Sequence, residues 1–346
     1  MLDPLRFLLL SGAIVLSAQA AVSLPADPCS KVSVDAVDEG RHYAVPSAMV
    51  LIPSGTFVYG SGELAQKMSL PAYAIGRCSV TNAEYKAFVD ATGAKAPSHW
   101  TKEGFPAGKA NHPVVNVSLV AAKAYAAWAG KSSGFRYAIP TSPQWEKAAR
   151  GPKGTIYPWG DSSEVSFRDG VLRTRFNFNA VIATKLLRDS PDRSVTYDHR
   201  KSSRFGEKTT LREIASYDGD KVTRLSVEPN GSVRGWVGHA TYTGFIYTDV
   251  FAELNAVGGN TTPVGAYEEG RSAYGCYDMA GNVWNWCDTA IVATNGAEKG
   301  REVNEIRGGS WYATAASCKS ISIGEGRAAS GAYNTVGFRL VATFAE

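Results

Sequence analysis

The period of the apolar pattern changes several times along the chain, and each change predicts an element. Met49-Val-Leu-Ile52 is an unbroken apolar run, and Pro53-Ser-Gly55 then leads into Thr56-Phe57, which predicts strand, turn, strand. Thr81 with Glu84 has the form of a capping box; Tyr85, Phe88 and Val89 follow as a helical apolar face, and Gly93 stops it. A second helix is predicted from Ser118 through Tyr125 and Trp128, ending at Gly130. A third begins at Thr141-Ser-Pro-Gln-Trp145, capped by Thr141 or Ser142. Pro143 sits in its first turn, Trp145, Ala148 and Ala149 face inward, and Pro152 ends it. Tyr157-Pro-Trp-Gly-Asp161 reads as an aromatic turn.

The texture changes over residues 162–260, which carry mixed charge and short alternating stretches. Thr223 to Val227 and Ser232 to Trp236 flank Glu228-Pro-Asn-Gly231, a hairpin signal, so this segment reads as an inserted, partly β elaboration. Beyond residue 262 the chain turns to glycine and tryptophan. Asp278-Met-Ala-Gly-Asn-Val-Trp-Asn-Trp286 and Arg307-Gly-Gly-Ser-Trp311 suit neither a helix nor a regular strand. Their Asp and Asn oxygens are placed to turn back on the backbone or to hold a cation. Helices early, irregular aromatic turns late and short strands throughout predict an α+β fold with low regular secondary structure.

Composition narrows the class without fixing the chemistry. The 346 residues are 44% hydrophobic and 20% charged with a net charge of +4, which fits a globular protein and suggests no nucleic-acid partner. Arg6, the apolar run Phe7 to Leu16 and Ser17-Ala-Gln-Ala20 predict a secretory signal over residues 1–20, cleaved after Ala20; the alternative is a retained anchor. Residues 21–48 read as an N-terminal arm, residues 49–346 as the domain, and no later stretch reads as a membrane span. The expected location is therefore periplasmic or secreted. Export permits disulfides, but Cys29, Cys78, Cys276, Cys287 and Cys318 are odd in number, form no CxxC and leave the pairing open. The five histidines, His42, His99, His112, His199 and His239, show no ligand spacing, so iron is not expected.

Eleven blocks then fall in register: Ile52 to Phe57, Val80 to Tyr85, Pro113 to Ser118, Pro140-Thr141, Trp145-Glu146, Ala148 to Arg150, Pro158 to Asp161, Pro263 to Gly265, Tyr277 to Trp284, Arg307 to Trp311 and Gly337-Phe-Arg339. In this order they resemble the formylglycine-generating enzyme family, also called the sulfatase-modifying-factor domain. The resemblance implies a C-type-lectin-like α+β fold that often holds calcium. It also implies a range of activities. The namesake oxidises a sulfatase cysteine with copper and oxygen, other branches resemble ergothioneine-type sulfoxide synthases or pyoverdine-maturation proteins, and display proteins only bind.

Carried over residue by residue, the namesake's two copper-binding cysteines fall on Ala313 and Cys318. Copper(I) favours a pair of soft thiolates, so copper-dependent formylglycine formation is not expected. Cys318, Ser310 and Trp284 remain the candidate catalytic residues. Against these stand a buried apolar or disulfide-bonded cysteine, a turn-bonding serine and a core tryptophan. The family's Arg-Leu-Pro-Thr-Glu is Ala138-Ile-Pro-Thr-Ser142 here. The resemblance places a candidate calcium site at Asp278, Gly281, Val283 and Asn285, weakened because Asn285 brings no charge. Asn177, Asn179 and Asp249 are candidates for a second one. Arg339 is expected to serve a buried carboxylate or carbonyls. The leading expectation is an exported oxidative modifier of a peptide or peptide-derived metabolite, without the two-cysteine copper site. The alternative is a non-catalytic module that binds a surface ligand through Tyr312 to Asn334.

Overall fold

The structure is a computed structural model that describes residues 35–46, 48–168, 171–179, 181, 195–198, 208–211, 216–218, 221–224, 226–227, 233–234, 254–294, 298–324 and 326–344. The expected signal segment, Cys29, His199, His239, Asp249 and the Pro-Asn-Gly turn of the insertion lie outside these residues.

The first strands are β1 (Asp35–Asp38), β2 (Arg41–Ala44), β3 (Met49–Ile52), β4 (Gly55–Tyr59), β5 (Gln66–Leu70), β6 (Tyr73–Gly76) and β7 (Tyr137–Ala138). Within 162–260 come β8 (Ser166–Arg168), β9 (Val171–Arg173), β10 (Val195–Asp198), β11 (Lys208–Leu211), β12 (Ser216–Asp218), β13 (Lys221–Arg224), β14 (Ser226–Val227) and β15 (Val233–Arg234). The last are β16 (Trp284–Val292), β17 (Glu302–Arg307), β18 (Val336–Gly337) and β19 (Val341–Thr343). Among the described residues, the long helices are α1 (Asn82–Thr92), α2 (Leu119–Ser133) and α3 (Ser142–Arg150). Short strands and few helices give the α+β architecture the pattern predicts.

Local chemistry sets the helix ends. Thr81 caps α1 in a reciprocal box with Glu84, and Gly93 closes it at φ 69°. Thr141, not Ser142, caps α3 and forms the same box with Gln144, while Gly151 ends the helix one residue ahead of Pro152. For α2 the expected stop at Gly130 is wrong; the helix runs on to Ser133 and is closed by Gly134 at φ 77°. Gly130 is required for a different reason, since a Cβ there would lie 2.7 Å from the Phe135 carbonyl oxygen as the chain folds back.

Two sheets carry the domain. One has the order β3-β6-β19-β7, and the other the order β17-β16-β18. Trp284, expected to resist a regular strand, opens β16, which runs antiparallel to β17 and parallel to β18. The parallel pairing of Trp284 with Val336 lays residues 333–339 alongside the glycine-tryptophan block. In the insertion β14 pairs with β15, but the expected first strand is split between β13 and β14, and β13 pairs with β12.

The core is aromatic. Tyr85 and Phe88 of α1 meet Tyr125 of α2, Phe338 and Trp286, and Tyr85 stacks on Tyr125 at 5.8 Å. Trp145, Ala148 and Ala149 of α3 pack against Ile52, Tyr73, Met279 and Cys287 in a second cluster. Helix α3 is buried beyond its apolar face, because Glu146 and Lys147 are also inside. Glu146 bonds Arg307 at 2.9 Å and Arg150 at 3.1 Å; Arg307 in turn reaches Glu305 at 3.0 Å and the Tyr59 hydroxyl at 2.7 Å. Ser142 bonds the same Glu305 carboxylate, so β17 supplies an acid to the position where the family motif carries its own. Each buried charge thus has partners, as burial demands.

Candidate functional site

The segment from Asp278 to Trp311 folds as a clasp. Asp278, Gly281 and Asn282 adopt left-handed φ values of 52°, 73° and 62°, which turn the chain sharply into β16. The Gly281 N–H donates to the Gly308 carbonyl at 2.7 Å, and the Trp311 N–H donates to the Asn282 carbonyl at 2.8 Å. The two motifs, far apart in sequence, are therefore bonded directly to each other.

Arg339 fills the centre of this clasp. Its guanidinium donates to the carbonyls of Gly76 at 3.0 Å and Tyr277 at 2.9 Å and to Asn285 Oδ1 at 2.7 Å. The same Asn285 oxygen accepts from Trp145 Nε1 at 3.1 Å, which takes its second lone pair. Asp278 accepts from the Gly265 N–H at 2.9 Å; burial pushes its carboxyl above the usual range, and that bond and Arg339 pull the other way. Of the residues carried over for calcium, Asn285 thus has its one side-chain oxygen taken by Arg339 and Trp145, and Asp278 has one carboxylate oxygen on the Gly265 N–H.

Asn177 and Thr262 are both bonded to Asn282 beside the clasp. Asn177 Nδ2 donates to the Asn260 carbonyl at 2.7 Å, and the Asn282 N–H donates to the Asn177 carbonyl at 2.8 Å. Thr262 and Asn282 exchange bonds of 3.0 and 3.2 Å. Asn177 Oδ1 and Thr262 Oγ1 are left buried without a hydrogen-bond partner. Asn179 is buried next to them in sequence, with its N–H on the Ala313 carbonyl.

The catalytic candidates from the sequence are sealed. Cys318 is 0% exposed and a free thiol. Burial pushes its pKa well up, while the N–H groups of Ser310 and Gly281 oppose this. Ser310 is buried, and its Oγ accepts from the Tyr312 N–H at 3.3 Å, the turn bond expected of it. Ala313 presents a buried methyl group. Trp284 is half-buried against the α1–α2 core. Cys78 is disulfide-bonded, whereas Cys276 and Cys287 are buried free thiols. Of the described histidines that turn inward, neither faces a carboxylate in the contacts it makes: His112 Nδ1 meets Thr261 Oγ1 at 2.9 Å, and His99 Nδ1 meets Asn116 at 3.0 Å.

A cleft lies elsewhere, about 600 Å³ in volume and lined by His99, Asn116, Asn255, Arg327, Tyr333 and Asn334 among others. It adjoins the clasp through Trp311, whose indole N–H donates to the Asn334 carbonyl at 3.2 Å. Asn116 has a left-handed φ of 59°, rare outside glycine, and its amide donates to His99. Burial, and then the Lys109 charge, lower the His99 pKa to about 4. A methyl group on Gly258 would come within 2.6 Å of His99 Nε2, so that glycine is what lets the wall close on the imidazole. The Asn334 and Asn255 amides bond across the cleft floor, and Arg327 lies over the Tyr333 ring at 5.4 Å. Arg327, Tyr333 and Asn334 lie in the Tyr312 to Asn334 segment that the sequence offers as a binding face, whereas His99, Asn116 and Asn255 are missed because they come from separated stretches and carry no motif spacing.

Fold and clasp together define a C-type-lectin-like domain of the sulfatase-modifying kind. The sulfatase-modifying factor enzyme 1-like domain matches residues 37–191 and 226–344, and the chain belongs to that family. It is similar to a hercynine oxygenase of Mycolicibacterium smegmatis, 31% identical over 159 residues, covering 34% of this chain and 36% of that protein. The chain thus spans about a third of the length of that relative. It is also similar over 79% of its length to 77% of a mouse protein named inactive C-alpha-formylglycine-generating enzyme 2, at 26% identity. The structure of PvdO from Pseudomonas aeruginosa overlays with a TM-score of 0.51 and 21% identity, covering 86% of this chain and 94% of that one, which shows the shared fold.

Proposed function

We propose that this chain is an exported formylglycine-generating-enzyme-like protein that takes a peptide or peptide-derived molecule into the cleft beside the Gly-Gly-Ser turn. Any oxidative step it supports does not use a two-thiolate copper centre. The observation carrying this reading is the pairing of an open, amide-rich cleft with a sealed turn. The space is at His99, Asn116, Asn255 and Asn334, whereas the thiol at the turn has no opening onto it. A volume of about 600 Å³ suits a small molecule or a few residues of peptide. Copper(I) needs soft anionic donors, and here position 313 offers a methyl group and position 318 a thiol that burial keeps protonated. Those donors do not fit the two-thiolate site. The disulfide at Cys78 supports an oxidising compartment. Among the described residues no helix is long and apolar enough to cross a membrane.

Calcium is better suited to Asn177 and Thr262, whose partnerless buried oxygens are the hard neutral donors it accepts, than to the Asp278–Asn285 set. A binding role without catalysis is the second reading, favoured by the similarity over 79% of the chain to a mouse protein whose name marks it inactive.

The test uses Ala332→Trp, a substitution at an exposed position on the cleft rim. The full chain and this variant are dialysed against a pool of synthetic tetrapeptides, and the retained peptides are read by mass spectrometry. The wild type should enrich a subset that the variant does not. Equal retention by both proteins removes the cleft from the account.

A further inference from the structure

We infer that a second pocket, where β2 meets the end of β19 and the turn from α2 to β7, binds an aromatic molecule bearing a tetrahedral oxyanion, a phosphate or sulfate ester on a ring. The pocket shares no lining residue with the cleft, so it stands independently of the peptide reading. Its volume is about 600 Å³, and Arg41, His42, Tyr43, Phe135, Arg136 and Phe344 are among the residues that line it. Among the described lining residues there is no Asp or Glu.

Two guanidiniums supply the charge. Arg41 lies on β2 and Arg136 in the turn before β7, and both are exposed. Neither side chain makes a hydrogen bond or ion pair among the described residues. Asp38 stands across the hairpin from Arg41, but its carboxylate accepts the Ser54 N–H at 2.7 Å instead. A lone surface arginine is content in water. These two differ in that both open onto one concavity that holds no acid to balance them. Two planar forks offer more donors than one carboxylate can use, whereas the three outer oxygens of a phosphate or sulfate ester can accept from both.

Three rings supply the rest of the wall. Tyr43 and Phe344 meet with their ring centres 4.6 Å apart and tilted by 46°. Both pack on the buried cluster that includes Val45, Met49 and Ala342, so their positions are set by the core before a ligand arrives. Phe135 follows Gly134, whose φ of 77° closes α2 and turns the chain, and its ring lies 6.1 Å from that of Tyr137. Tyr43, Phe135 and Phe344 are each half-buried, which leaves apolar surface inside a cationic rim. A bare ion gains nothing from that surface, whereas a flat ring does.

The test follows the ring signals of His42, which lines the pocket, by NMR in the full chain labelled at histidine, assigned with His42→Gln. The probes are phenyl phosphate, phenyl sulfate, benzoate, phenol and inorganic phosphate, at one pH and one ionic strength. At least one ester should shift His42 at about millimolar concentration and bind at least about tenfold more tightly than benzoate, phenol and inorganic phosphate. The tighter of the two esters identifies the oxyanion. Arg41→Gln and Arg136→Gln should each weaken that ester by about threefold or more and leave phenol unchanged. Ala332→Trp, on the rim of the other cleft, should bind the ester as the wild type does. If inorganic phosphate matches the esters, the rings play no part and the inference fails. If benzoate matches them, the tetrahedral oxyanion plays no part and it fails likewise. It fails too if no probe moves His42, and the tetrapeptide test of the cleft is unaffected. The comparison of probes needs no variant, so a poorly folded arginine variant does not blunt it.

Discussion

Asn116 holds a left-handed backbone at φ 59° and spends its side chain on His99 Nδ1. A hydrogen bond that only the neutral imidazole accepts disfavours protonation, which adds to the burial that lowers His99 to about 4. Asn116→Gly keeps the backbone conformation and removes the amide. The His99 titration, followed by NMR, should then move upward toward 6.5; an unchanged midpoint means that burial and the Lys109 charge set it without the amide. His112 lies beside Lys109 and is also lowered from 6.5 to about 4, by burial first and then by that ammonium. The unfolded chain takes up protons near 6.5 while the folded imidazoles resist until about 4. More protons are bound in the unfolded state, so stability is full above that window and falls as pH drops through it. Melting temperatures measured from neutral pH downward should decline across this range, and less steeply in His112→Gln.

At the scale of elements, the ends of α1 and α3 are legible in the sequence because a cap is a contact between residues three apart. The stop of α2 is not, since what Gly130 answers to is the carbonyl of Phe135 on the returning chain. The turn at Asp278 is legible as non-helical, but the parallel pairing of β16 with β18 joins residues about fifty apart and leaves no local mark. The same holds for the buried charges that bind α3 to β17 and to the β4 hairpin. Arg307 is 1% exposed and Glu146 0%. Removing one partner strands the others without solvent, so Arg307→Ala should lose about 3–5 kcal/mol in urea unfolding. A loss below about 1 kcal/mol means the pair is solvated and the clasp is held by packing alone.

For the whole molecule, family motifs mark the scaffold and the cleft falls between them. Pro113 to Ser118 flags a block, yet nothing in the sequence singles out Asn116 within it or joins it to Arg327 and Tyr333, which the fold brings to the same wall. The sequence did place the chemical question at Ala313 and Cys318, and the structure adds that Cys318 is sealed under Gly281 and Ser310. Calcium bears on the other side of the clasp. If Asn177 and Thr262 accept the ion, millimolar calcium should raise the melting temperature of chelator-treated protein, and magnesium, which tolerates such irregular donors poorly, should not. No rise with calcium removes that site.

The most direct test of the account is the copper content of the purified chain after anaerobic loading with copper(I) and dialysis against a competing chelator, measured beside Ala313→Cys. The account predicts no retained copper in the natural chain and retention in the variant, where a second thiol joins Cys318. One tightly held copper per chain in the natural protein would contradict it.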